Sequence, residues 1–264
     1  MTKPKTILLM AAHGSSHPVA RQALEGFTER VRTKHAGLSV FLAYTALQRP
    51  GCHPAGLAGN GLIDVLTRLG SVEPLDLRVQ SLHVIAGDEF DRMRETLTAF
   101  AASQGAEVTI SGPLLAGLGD VPDVAGTLAE SLSPGASGQA VVLMGHGTTH
   151  EAQDLYHSLA ARLGSILPNA HLGVLEAADP HDPLSIKAIA RDLASKGVRE
   201  VRLVPFLTVA GRHAHKDMAG GHPDSWKSVL ERHNIAAIPD LAGLVERDGV
   251  VGLWFERLKQ LMAR

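Results

Sequence analysis

The chain has 264 residues, 45% apolar and 20% charged, which is enough for a sizeable core and argues against disorder. A formal net charge of −2 leaves no basic surplus for nucleic acid or an anionic membrane surface. The single Cys52 excludes internal disulfides and thiolate clusters, so any metal chemistry must rest on carboxylates and the 14 histidines.

In chain order, TILLMAAH at 6–13 predicts a buried strand that follows the N-terminus directly, without the apolar leader of a secreted protein. A cytoplasmic protein is expected, and no apolar run approaches the length of a membrane span. The turn GSSH at 14–17 opens an amphipathic helix whose Ala20, Leu24, Phe27 and Val31 share a face. LSVFLAY at 38–44 predicts the second strand and LRVQSLHVIAGDE at 77–89 holds the third. A helix is expected over 88–104, ended by Gly105 at C′. PLLAGL follows at 113–118. The stretch SLSPGASGQ at 131–139 has the composition of an exposed connection.

The same pattern then begins again. AVVLMGH at 140–146, the turn GTTH at 147–150 and a helix with Leu155, Tyr156, Leu159 and Leu163 on one face repeat the opening. AHLGVLE at 170–176 matches 38–44, VRLVPFLTVAGRH at 201–213 matches 77–89, and PDLAGL at 239–244 matches 113–118. Asp182-Pro183 predicts a helix start and Gly197 its stop. A last amphipathic helix near 248–263 has no visible partner in the first copy and is free to pack across the halves. Strands alternating with helices predict an α/β protein of two similar lobes, each a parallel four-stranded sheet flanked by helices. The expected division is an N-terminal lobe at 1–133 and a C-terminal lobe at 134–264.

Ligands of open parallel sheets bind beyond the carboxyl ends of the strands. The polar residues expected there are His13 and His146 after the first strands, Tyr44 and Glu176 after the second, and Glu89 and His213 after the third. His146 sits between glycines in Met-Gly-His-Gly-Thr-Thr-His, which reads either as a site histidine or as one that caps the next helix or bonds to its turn. Glu89 reads either as a site group or as a first-turn glutamate favoured by the helix dipole. The run after the third strand of the second copy adds His215, Lys216, Asp217, His222 and Asp224. No Walker motif, dinucleotide fingerprint or G-x-S-x-G elbow is present.

LLMAAHGSS, QSLHVIAGDEFDRM, LMGHGTTHEAQDLY and PFLTVAGRHAHKDMAGGHPDSWKSVLE resemble the anaerobic cobalt chelatases, the sirohydrochlorin cobaltochelatases among the class II chelatases. The resemblance covers nearly the whole chain. It implies a two-lobed fold with its active site in the cleft between lobes. The implied reaction inserts Co²⁺ into sirohydrochlorin and releases two protons, in a cobalamin pathway with early cobalt insertion. By resemblance His146, Glu176 and His213 are metal-binding residues, and His146 and Glu89 are catalytic. His13, Arg49, Arg212 and Lys216 are candidates for the substrate's carboxylates. Arg49 is the one certain cation in the 44–62 stretch, where the family usually carries more. Arg212 stands where the family more often has an acidic residue. No organic cofactor is implied, and Co²⁺ or Fe²⁺ enters as a substrate. The expected partners are an acidic tetrapyrrole and a divalent metal, not nucleic acid or membrane, and a homo-oligomer is compatible with the sequence. Two other readings stay open at this point: a sirohydrochlorin ferrochelatase of sirohaem synthesis, and a histidine-rich metal carrier without turnover.

Overall fold

The computed structural model describes residues 4–46, 60–72, 74–132, 139–177 and 179–264. Its strands form two four-stranded parallel sheets. The first contains β1 (Lys5–Ala12), β2 (Ser39–Tyr44), β3 (Leu75–Ser81) and β4 (Glu107–Ile110), in the order β2-β1-β3-β4. The second contains β5 (Ala140–Gly145), β6 (Ala170–Val174), β7 (Glu200–Pro205) and β8 (Ala236–Pro239), in the order β6-β5-β7-β8. Identical strand order in the two sheets is the structural form of the sequence repeat.

The central strands read as continuous apolar runs because both faces of a parallel sheet are covered by helices. Residues Ile7 to Ala12 of β1 and every residue of β5 are buried. In the first copy the covering helices are α1 (Pro18–Lys34), α2 (Leu62–Leu69) and α3 (Asp88–Gln104). Pro18 at the first turn suits α1, because its missing N–H would have no partner there. The predicted apolar face of α1 is buried. Helix α3 spans the predicted residues, with Asp88, Glu89 and Asp91 at its positive end and Gly105 closing it at φ +60°.

In the second copy the helices are α5 (Gln153–Ile166), α6 (Ile186–Ser195) and α7 (Trp226–Arg232). Here α6 starts later than Asp182-Pro183 suggested. Asp182 instead accepts the N–H of Leu184 in a turn, and Ser185 caps the helix by accepting from the N–H of Lys187.

The remaining helices, α4 (Val121–Leu132) and α8 (Asp248–Met262), reveal a correspondence that the sequence hid. The chain packs into two compact units, one made of Met1–Ala116 with Gly252–Arg264 and the other of Gly117–Val251. Helix α4 precedes the expected boundary at 133/134, yet it belongs to the second unit. Most of α8 follows the second sheet, yet it belongs to the first unit. The two helices are held alike. Arg202 of β7 donates to the carbonyl of Leu132 at 3.1 Å, and Arg78 of β3 donates to that of Leu261 at 3.2 Å. Thus the final helix has a counterpart after all, namely α4. Similarity between them was hard to see because only apolar spacing is shared.

Candidate active site

Strand β5 delivers His146 to the carboxyl end of the second sheet through Gly145 and Gly147. A Cβ on Gly145 would lie 2.7 Å from Cε1 of the buried Tyr156, so the bare backbone lets that ring pack under the turn. Gly147 has φ +84°, which turns the chain sharply after the histidine. Burial pushes the Tyr156 phenol up, and backbone hydrogen bonds at Gly147 and His146 act in the opposite direction. These contacts fix the backbone that carries His146. Capping of the following turn falls to His150, whose Nδ1 accepts from the N–H of Ala152. His146 thus does not cap the helix, although its ring does bond to its own turn at the Gly147 carbonyl.

The His146 and His213 rings meet edge to face, with centroids 4.9 Å apart. His146 Nδ1 donates to the Gly147 carbonyl at 3.2 Å and lies 3.5 Å from Glu176 Oε1. Glu176 follows β6, and its backbone N–H is held by the carbonyl of His146 at 3.1 Å. His213 precedes a single wide π turn, Ala214–Met218, which brings Asp217 Oδ2 to 2.7 Å from His213 Nδ1. All three predicted metal-binding residues therefore converge on an open cavity of about 430 Å³. Both imidazoles and Glu176 are roughly half exposed, as groups that must meet a ligand require. Among the described residues no group of three or more His, Cys, Asp or Glu side chains is arranged to hold a metal ion as the side chains stand.

The first unit places the other predicted catalytic group. Glu89 lies in the first turn of α3, where its Oε1 accepts from Arg92 at 2.8 Å and its Oε2 sits 3.6 Å from His13 Nδ1. The neighbouring His13 holds the Glu89 carboxyl below its ordinary range, against the effect of burial. Behind them lies His83, whose place inside an apolar run gives no sequence signal of a site. Its Nε2 pairs with Thr45 Oγ1 and its Nδ1 with Ser81 Oγ, each at 3.0 Å. Burial, aided by His13, lowers the pKa of His83 to about 4.

The candidate cations fare differently. Arg49 lies outside the described residues. Arg212 and Lys216 are exposed, and neither lines the cavity beside His146. Lys187 does line it, along with His222 and Asp224. The sequence signal for Lys187 was its place in the first turn of α6, just beyond Glu176, but without the fold it reads as an ordinary helix-surface lysine.

Two parallel α/β units with imidazoles and a carboxylate at the strand ends define the class: this is the chelatase fold. Solved structures agree on it. SirB from Bacillus subtilis with Fe³⁺ superposes with a TM-score of 0.64 at 18% identity, covering 97% of this chain and 95% of that one. CbiX, the terminal enzyme for biosynthesis of siroheme in denitrifying bacteria, superposes with a TM-score of 0.61 at 20% identity, covering 96% and 98%.

The chain belongs to the cobalt chelatase (CbiK) family, whose model matches residues 5–263. It is 36% identical to the sirohydrochlorin cobaltochelatase CbiKC of Nitratidesulfovibrio vulgaris, covering 95% of this chain and 88% of that protein. It is 30% identical to the sirohydrochlorin cobaltochelatase of Salmonella typhimurium, covering 98% and 97%.

Proposed function

We propose that the chain inserts Co²⁺ into sirohydrochlorin, releasing two protons, at the early cobalt step of cobalamin synthesis. Membership of the cobalt chelatase family supports this reading, as do two relatives of that activity matched along nearly their whole length. The observation that carries it is the His146–His213 pair, 4.9 Å apart beside Glu176 in one open cavity.

The chemistry asks for a metal held firmly enough to be captured and loosely enough to be surrendered. Two imidazoles and one carboxylate at a hydrated site satisfy this better than a closed thiolate site would. In the proposed roles His146, His213 and Glu176 hold the incoming Co²⁺. His146 takes a pyrrole proton as the metal transfers, and Glu89 is assigned the guiding of metal or protons. Sirohydrochlorin is rich in carboxylates, and Lys187 at the cavity wall is the described cation best placed to meet one. No organic cofactor has a role in this reaction.

An anaerobic insertion assay tests the proposal. The sirohydrochlorin spectrum is followed after adding Co²⁺, Fe²⁺ or Ni²⁺, with and without protein. Acceleration with Co²⁺ above that with Fe²⁺ is the expected result. Faster insertion of Fe²⁺ would favour sirohaem synthesis instead. Metal binding without acceleration would leave a carrier.

A further inference from the structure

Both candidate metal-binding histidines have their Nδ1 atoms engaged, but by different partners. His146 Nδ1 donates to a neutral backbone carbonyl, that of Gly147. His213 Nδ1 lies 2.7 Å from Asp217 Oδ2, a short contact in which an ionised carboxylate can only accept. That contact follows from the local backbone. The π turn over Ala214–Met218 places residue 217 beside residue 213, and its buried Ala214 and Met218 anchor the turn in the core. His222 Nε2 lies 3.8 Å from the other carboxylate oxygen, Asp217 Oδ1, beyond hydrogen-bond distance. His222 Nε2 in turn donates to the carbonyl of Lys216 at 3.0 Å, which holds the far side of the same turn. Asp217 therefore stands in the cavity wall bonded to His213, with His222 beside it.

We infer that Asp217 is a positioning residue that fixes His213 as its Nδ1–H tautomer and so presents the Nε2 lone pair to the incoming metal. A carboxylate on the remote ring nitrogen both orients a metal-binding imidazole and strengthens its donor atom. His146 Nδ1 instead donates to a carbonyl, with Glu176 Oε1 farther off at 3.5 Å, so the close carboxylate contact is peculiar to His213. The inference rests on the proposed metal-binding role of His213. It does not depend on which macrocycle receives the metal.

Two measurements test it. The first is long-range ¹H–¹⁵N correlation of the His213 ring in the metal-free parent protein at about pH 8, above the ordinary imidazole range. A dominant Nδ1–H tautomer is expected, and a dominant Nε2–H tautomer would overturn the inference. The second is calorimetric titration of Co²⁺ alone into the parent, Asp217→Ala and Asp217→Glu. Loss of the carboxylate should weaken Co²⁺ binding about 10- to 100-fold and raise the KM for Co²⁺ similarly, with the KM for sirohydrochlorin unchanged. Asp217→Glu, which restores an acceptor, should recover part of the loss. A folded Asp217→Ala protein that binds Co²⁺ like the parent contradicts the positioning role even if insertion proceeds. Asp217-dependent Co²⁺ binding without insertion into sirohydrochlorin would leave the positioning role intact and remove the proposed reaction.

Discussion

His83 shows how one side chain near a candidate site couples to the stability of its unit. It is nearly fully buried and shares its two ring nitrogens with Thr45 and Ser81. The charged groups that act on it are His13, which disfavours its protonation, and Glu89, which favours it, while burial outweighs both. Its folded pKa of about 4 lies below the ordinary value of about 6.5, so the unfolded chain binds the proton more readily. Stability from this residue is complete above pH 6.5 and is lost as pH falls toward 4. The loss amounts to about 3 kcal/mol. Urea unfolding of the parent and of His83→Gln at steps between pH 7.5 and 4.5 measures this. The parent should lose stability more steeply than the variant, and parallel curves would show that His83 is not the group responsible.

At the scale of elements, the strand-to-helix turns do most to place the site. Gly147 adopts φ +84° after His146, and Gly14 adopts φ +92° at the matching place after His13. A Cβ on Gly147 would come within 3.0 Å of Val174 Cβ and 3.2 Å of Glu176 Cβ. The Gly147→Ala variant should cost about 1–2 kcal/mol for the left-handed backbone alone. Because Glu176 must also give way, it should lose insertion activity beyond its loss of stability. Comparing insertion rates with melting temperatures checks this, and a destabilised but fully active variant would separate the turn from the site. These turns were legible in the sequence, since a glycine after a strand-terminal histidine is unusual and recurred in both copies. So were both sheets, whose apolar strands alternate with helical patterns. The wide turn at Ala214–Met218 was not legible, because a π turn differs from an α turn by hydrogen bonding rather than by residue type. Asp217 was therefore one titratable group among several, and Lys187 was one surface lysine among others. The start of α6 was missed because Asp182-Pro183 and Ser185 both carry capping chemistry and only packing chose between them.

At the scale of the whole chain, the two copies are not simply consecutive. Each unit receives a helix from the far side of the other copy's sequence: α4 joins the second and most of α8 joins the first. This escapes sequence reading because an amphipathic helix announces that it packs but not where. Trp254 of α8 is fully buried, 5.9 Å from the Phe27 ring of α1. Trp254→Ala should destabilise the first unit by about 3–5 kcal/mol, the usual cost of emptying a large aromatic site. Hydrogen exchange would then rise in β1 and α1, whereas unchanged protection there would contradict the packing described. The function proposed for the chain turns on His146. The most direct measurement is the initial rate of anaerobic Co²⁺ insertion into sirohydrochlorin by His146→Ala at saturating Co²⁺, beside the parent. A loss of at least about 100-fold is expected, as for removal of a proton-transfer and metal-binding group. A rate near that of the parent would contradict it.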